Sequence, residues 1–244
     1  AKYLCSRSIK RFYKEMNPKN YGFDLAKERL ERSESDWIFG AASPACIAEI
    51  PESKREEYLP KGEVQRGVED FYDCASRAPL NILETKFLWL YKNNLLKNRK
   101  WLEKNGYVTA DGKIEFSDAY TAISSQTTRS GNSLKSPLEA LRKQGLIPKS
   151  MLPAGPTMTW DDYHNPARIT QAMRDLGQEF IKRFTINYER VFEYQYPILL
   201  ITDLLDVAGF AWPSAENDMY PRVDYTPNHA FAVYRYAFVD DLGK

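Results

Sequence analysis

The period of the hydrophobic pattern changes along this chain, and that change limits the folds open to it. In "CASRAPLNILETKFLWL" the residues Leu80, Leu83, Phe87 and Leu90 recur at the three- and four-residue spacing of a helix. The predicted helix runs to about Asn94, and a short second helix in "NNLLKNRKWLEKNGYV" ends with Gly106 at C′. Ser117 is a predicted N-cap for "FSDAYTAIS". Ser136 as N-cap, Pro137 at N1 and Gly145 at the close bound a further helix. Another runs from Thr170 to about Phe184. Beyond it β-type residues dominate, with predicted strands in "LLDVAGFAWP" and "HAFAVYRYAFVDD". Helices followed by strands point to α+β organisation.

The N-terminal part reads differently. "FDLAKERLERSESDW" carries a thin helical stripe, and residues 37–60 are mostly irregular, punctuated by Gly40, Pro44, Pro51 and Pro60. An N-terminal extension that straps across the body fits this pattern better than a separate domain.

Charge and cysteine content narrow the function classes. Among the 244 residues, 34 basic side chains against 33 acidic give a net charge of +1. No basic excess or stripe calls for a nucleic-acid partner. The run "PILLI" is far too short to cross a bilayer, so no membrane span is predicted. Cys5, Cys46 and Cys74 form no CxxC pair, which argues against a thiolate metal site and against a disulfide framework. No glycine-rich phosphate loop is present, because "RSGNSLK" lacks the spacing. Neither a metal nor an organic cofactor is expected. The adjacent acids Asp161 and Asp162 read as a cap or turn, and "ESKREEYLPKGE" as a solvated charged face.

Two histidines, His164 and His229, limit any mechanism that needs an imidazole. His164, in "WDDYHNPARI", reads as a surface-loop residue. His229 opens the predicted strand "NHAFAVYRY", where a rigid element can aim it. Cys74 opens the long helix. A thiol there gains from the positive end of the helix dipole, and an imidazole that takes its proton completes a thiolate–imidazolium pair suited to acyl transfer. Cys46 and Cys5 have no such setting.

On these residues the chain resembles the papain-like cysteine peptidases. The Cys74 helix is similar to the family's nucleophile helix, and "NHAFAVYRY" to its histidine strand. Gln65, in "LPKGEVQRGVEDFYDC", resembles the glutamine whose side-chain amide helps hold the oxyanion. "GNSLKSPLEALRKQGLIPKSMLP" and "FAWPSAENDMYPRVDYTPNHA" resemble the segments between these anchors. The resemblance covers roughly residues 58–244. It implies a papain-like α+β fold, with a helical lobe packed on a β-rich, barrel-like lobe and an active-site cleft between them. The implied division is an extension or pro-segment at 1–57, a nucleophile-bearing lobe at 58–158 and a histidine-bearing lobe at 159–244.

The implied activity is peptide-bond hydrolysis by a Cys74/His229 dyad, with Gln65 in the oxyanion hole and a polypeptide substrate or protein partner in the cleft. The orienting acid is Asp240 or Asp241, if the turn after the histidine strand folds back, or a residue beyond Lys244. The alternative is an inactive papain-like structural or binding protein with a relict site. Two local departures bear on that choice. Asp73 raises the pKa of a neighbouring thiol. Pro79 lacks an N–H, so a helix starting nearer Ser76 is expected, which leaves Cys74 just outside the strongest part of the dipole.

Overall fold

The structure, a computed structural model, describes residues 21–33, 36, 49–62, 65–196, 199–200, 203–209 and 226–235. Cys5, Cys46, Asp240 and Asp241 lie outside them. Helix and sheet are both present, as the change of period requires. The helices are α1 (Leu25–Glu31), α2 (Cys74–Lys92), α3 (Arg99–Lys104), α4 (Asp118–Ser124), α5 (Lys135–Gln144), α6 (Trp160–Tyr163) and α7 (Gln171–Ile181). A 3-10 turn spans Glu52–Tyr58. Strands β1 (Leu205–Gly209) and β2 (His229–Val233) pair antiparallel, with Asp206 opposite Ala232, Ala208 opposite Ala230 and Gly209 opposite His229. Among the described residues the sheet is two-stranded; the rest of "GFAWP" and of "YAFVDD" falls outside them. No helix among the described residues is long and apolar enough to cross a membrane.

Helix α2 is the axis of the fold and packs against β2, β1, α4, α5 and the 3-10 turn. Its outer half buries Leu80, Phe87 and Tyr91 in an aromatic core with Tyr107, Phe116 and Phe180. Phe87 and Phe180 each lie edge-on to Phe116, at centroid distances of 5.5 and 5.9 Å. Edge-to-face rings add to the burial of their area. A second core holds Phe71, Tyr120, Tyr163, Ile147 and Met173 around α4 and α7.

Several helix ends follow the sequence closely. The Ser117 side chain accepts from Tyr120 N at the start of α4, and Thr170 accepts from Met173 N at the start of α7. Gly106 and Gly145 take φ of +77° and +75° after α3 and α5. Three ends differ. Helix α2 begins at Cys74, with Pro79 inside it, so Cys74 occupies the first helical position. The Asp73 carbonyl takes the amides of both Ser76 and Arg77, which anchors this early start. Helix α5 starts at Lys135, one residue before the predicted cap, because Ser133 and not Ser136 does the capping: its Oγ accepts from Ser136 N at 3.0 Å. Helix α7 stops at Ile181.

The charge run near residue 55 is not uniformly solvated. Arg55 is fully buried, and its guanidinium donates to the carbonyls of Ile50, Leu200 and Tyr234. It ties the 3-10 turn to the segments flanking the sheet.

Candidate active site

The first turn of α2 sits against β2. Cys74 is 2% exposed, and its Sγ accepts a hydrogen bond from Ala230 N at 3.3 Å. His229, one residue before Ala230, therefore belongs to the strand end that faces the thiol. The His229 ring makes its hydrogen bond elsewhere: Nδ1 lies 3.4 Å from the Tyr21 carbonyl oxygen, which can only accept, so this nitrogen carries the proton. The Tyr21 ring packs edge-on to the imidazole at 5.9 Å. Among the described residues no hydrogen bond joins Cys74 Sγ to the His229 ring.

Gln65 reaches the same carbonyl. Its Nε2 donates to Tyr21 O at 3.0 Å and to Asp70 Oδ1 at 3.1 Å. The residues between Gln65 and Cys74 are taken up in a tight loop. Arg66 bridges Asp70, Phe71 N donates to Gln65 O, and Tyr72 N donates to Asp70 Oδ1. The loop closes on Tyr72, which adopts a left-handed φ of 53°.

Residues 21–24 thus run along the seam between helices and sheet, held on both sides. On the sheet side Tyr21 N and Phe23 N donate to Asn228 O at 3.1 and 3.4 Å. On the helical side Asn132 N donates to Gly22 O at 2.9 Å, and Asp24 N donates to Asn132 O at 2.8 Å, a parallel bridge centred on Phe23. Asn132 is fully buried and rigid, since its Nδ2 donates to Ser125 O, Ser125 Oγ and Thr127 Oγ1. Gly22 fits because it lacks a side chain. A Cβ there would lie 2.5 Å from the Tyr72 carbonyl, and its φ of +103° favours glycine.

Electrostatics match this closed arrangement. Burial pushes the Cys74 thiol well above its usual pKa. The Ala230 amide opposes the rise, and Asp73 and Asp206 add to it. Burial lowers His229, with the Tyr21 bond opposing. Each shift favours the uncharged form.

Asp73 is balanced from below. Arg77 Nε donates to it at 2.9 Å, the Tyr163 hydroxyl donates to its other oxygen, and Arg77 also pairs with Asp118 at 3.3 Å. His164 departs from the sequence reading: it is buried, Nε2 sits 2.7 Å from Phe71 O, and it stacks on Trp160 at 4.3 Å. Asp162 is the acid of a capping box with Thr159, in line with the cap reading.

Three participants escaped the sequence. Tyr21 acts through its backbone, which leaves no signal in residue type. Asn132 holds the strap through its backbone bonds to Gly22 and Asp24, which residue type does not announce. Asp206 did carry a signal, an acid inside the apolar run "LLDVAG".

No protein-family model and no curated protein matches the chain. Two solved structures are similar to it. One is the Amb a 11 cysteine protease, a major ragweed pollen allergen, in its proform, at 12% identity and TM-score 0.43 over 93% of this chain. The chain spans 58% of that protein's length. The other is xylellain, a cysteine protease from Xylella fastidiosa, at 15% identity and TM-score 0.40 over 81% of this chain and 77% of its own.

Proposed function

We propose that the chain is a papain-like cysteine peptidase in a latent state, its site occupied by its own residues 21–24. The observation that carries this reading is a shared acceptor: the Gln65 amide and the His229 imidazole both bind the Tyr21 carbonyl, beside a thiol at the first position of a 19-residue helix. A peptide carbonyl held between those two donors supports reading them as the groups that would hold a substrate carbonyl.

Once the strap leaves, water reaches Cys74 and His229, and the burial that disfavours the charged form of each is relieved. His229 then takes the thiol proton, and Cys74 Sγ attacks the substrate carbonyl carbon. The electron pair moves to the oxygen, which Gln65 Nε2 stabilises by hydrogen bonding. The C–N bond breaks as His229 returns the proton to the leaving amine, giving a thioester. Water, losing its proton to His229, then releases the acid and restores the thiol. Asp240 or Asp241 remains the proposed orienting acid. The reading divides the chain as the sequence does, into extension, nucleophile-bearing lobe and histidine-bearing lobe, with a polypeptide as the substrate.

The buried thiol, bonded to the Ala230 amide and not to the imidazole, favours a second reading: an inactive scaffold with a relict site. Alkylation of Cys74 by a peptidyl electrophile separates the two. Gly22→Ala loosens the strap through its clash with Tyr72. The expected result is slow labelling of the native chain, labelling at least about tenfold faster in Gly22→Ala, and loss of that gain when His229→Ala is added. Labelling that is slow and equal in all three chains means a relict site.

A further inference from the structure

The side chains of β1 alternate between two environments. Leu205 and Val207 are buried with Leu199 and Leu200, with Phe231 and Val233 packed alongside. Ala208 and Ala230 point the other way, into a cluster with Cys74, Ala75, Ala78 and the strap residues Phe23 and Leu25. Asp206 shares the face of Ala208, because alternate residues of a strand share a face. The residue as a whole keeps some exposure, yet both carboxyl oxygens are buried and, among the described residues, neither has a hydrogen-bond partner. Its field reaches Cys74, and among the described residues the charge that acts on it is another acid, Glu28 of α1.

A buried carboxyl with no donor and no cation is costly, and such groups concentrate at functional sites. The cluster on this face is built from Ala75, Ala78, Ala208 and Ala230 together with Cys74 and Leu134, and Phe23 and Leu25 of the strap pack into it. Removal of the strap takes Phe23 and Leu25 out of this cluster and leaves the four alanines and Leu134 beside the nucleophile, with one acid on the same strand face. We propose that Asp206 is the specificity-determining residue of a substrate pocket next to Cys74, and that this pocket takes a long basic side chain, arginine or lysine. The proposal rests on the peptidase reading above. The alanines leave room for an aliphatic stem, and a guanidinium or ammonium supplies the partner that Asp206 lacks. Among the described residues the strap sets Phe23 and Leu25 in the cluster and the acid Glu28 within reach of Asp206, so it covers the pocket without satisfying it. A basic peptide therefore competes with the strap on better terms than a neutral one.

The test uses the full chain carrying Gly22→Ala, to loosen the strap, and Cys74→Ser, so that the outcome does not depend on thiol chemistry. Its affinity is measured by titration calorimetry for two blocked peptides that differ only in arginine against citrulline, the neutral isostere. The arginine peptide is expected to bind about tenfold tighter or more, and Asp206→Asn is expected to bring the two within about twofold. Asp206→Leu serves as a second variant; both are expected to fold, since each removes a buried unpaired acid. Equal affinities with Asp206 in place, a preference that survives both substitutions, or binding of neither peptide overturns the proposal. Failure of the peptidase reading is seen separately, in the alkylation of Cys74.

Discussion

Asp73 stands directly before the candidate nucleophile, and its neighbours decide what it does there. The sequence shows an acid that opposes thiolate formation, and the structure keeps that effect but ranks it below burial. It adds what the sequence could not show: Arg77, one turn along α2, pairs with both Asp73 and Asp118, and Tyr163 closes the cluster from α6. Arg77 is 8% exposed and Asp73 fully buried. Removing one partner of such a group strands the others, at a cost of about 3–5 kcal/mol. Arg77→Met is therefore expected to lower the urea-unfolding free energy by about that much, and a loss under ~1 kcal/mol would mean the carboxyls find other partners. Legibility at this scale followed distance along the chain. Cys74 was readable in part: a thiol near a helix start is a local pattern, but Pro79 pointed to a start nearer Ser76, and the helix begins at Cys74 itself. The bond between the Gln65 amide and Tyr21 was not, because residue type says nothing about which distant backbone group arrives.

Helix boundaries were readable wherever the cap lies within a turn of the helix, as at Ser117, Thr170, Gly106 and Gly145. Ser136 lost its predicted role to Ser133 because two serines stand within reach of the same helix start. Glu31 of α1 accepts from the Oγ of both, and the amide of Ser136, which donates to Ser133 Oγ, separates their roles. Pro79 was misplaced for a similar reason. Packing of the first turn of α2 against β2 and the bonds to the Asp73 carbonyl outweigh the one backbone bond a proline forfeits. Close helix contact also explains Gly177, a poor helix former in the middle of α7. A Cβ there would sit 2.3 Å from Gln144 O and 2.9 Å from Tyr120 Oη. On propensity alone Gly177→Ala gains up to about 1 kcal/mol. The clash with the end of α5 outweighs that gain, and a net loss of about 1–3 kcal/mol is expected in denaturant titration. A raised midpoint would show that α5 and α7 can move apart at little cost.

At the scale of the molecule, the change of hydrophobic period correctly announced helices and sheet together. It said nothing of the acids that packing buries. Glu84 lies in α2, buried, accepting from Phe116 N at 2.7 Å, and burial pushes its pKa from 4.5 up to about 8. Asp118 and Asp206 are also raised by burial, with Arg77 opposing the rise at Asp118. Such groups make stability depend on pH with a definite sign. Between about 4.5 and about 8 the folded chain holds a proton on Glu84 that the unfolded chain has released. Stability from this group is therefore fully present below about 4.5 and declines as pH rises toward 8. Allowing for relaxation of the site, the loss is on the order of 2–4 kcal/mol, or roughly 4–12 °C in thermal midpoint for a chain of this length. Glu84→Gln keeps an acceptor for Phe116 N and has no proton to lose, so its midpoint should fall less steeply over that range. The native chain should lead at low pH and the variant at pH 8. Parallel curves for the two chains would place the titrating burden on Asp118 and Asp206, and Asp206→Asn measured the same way would divide it between them.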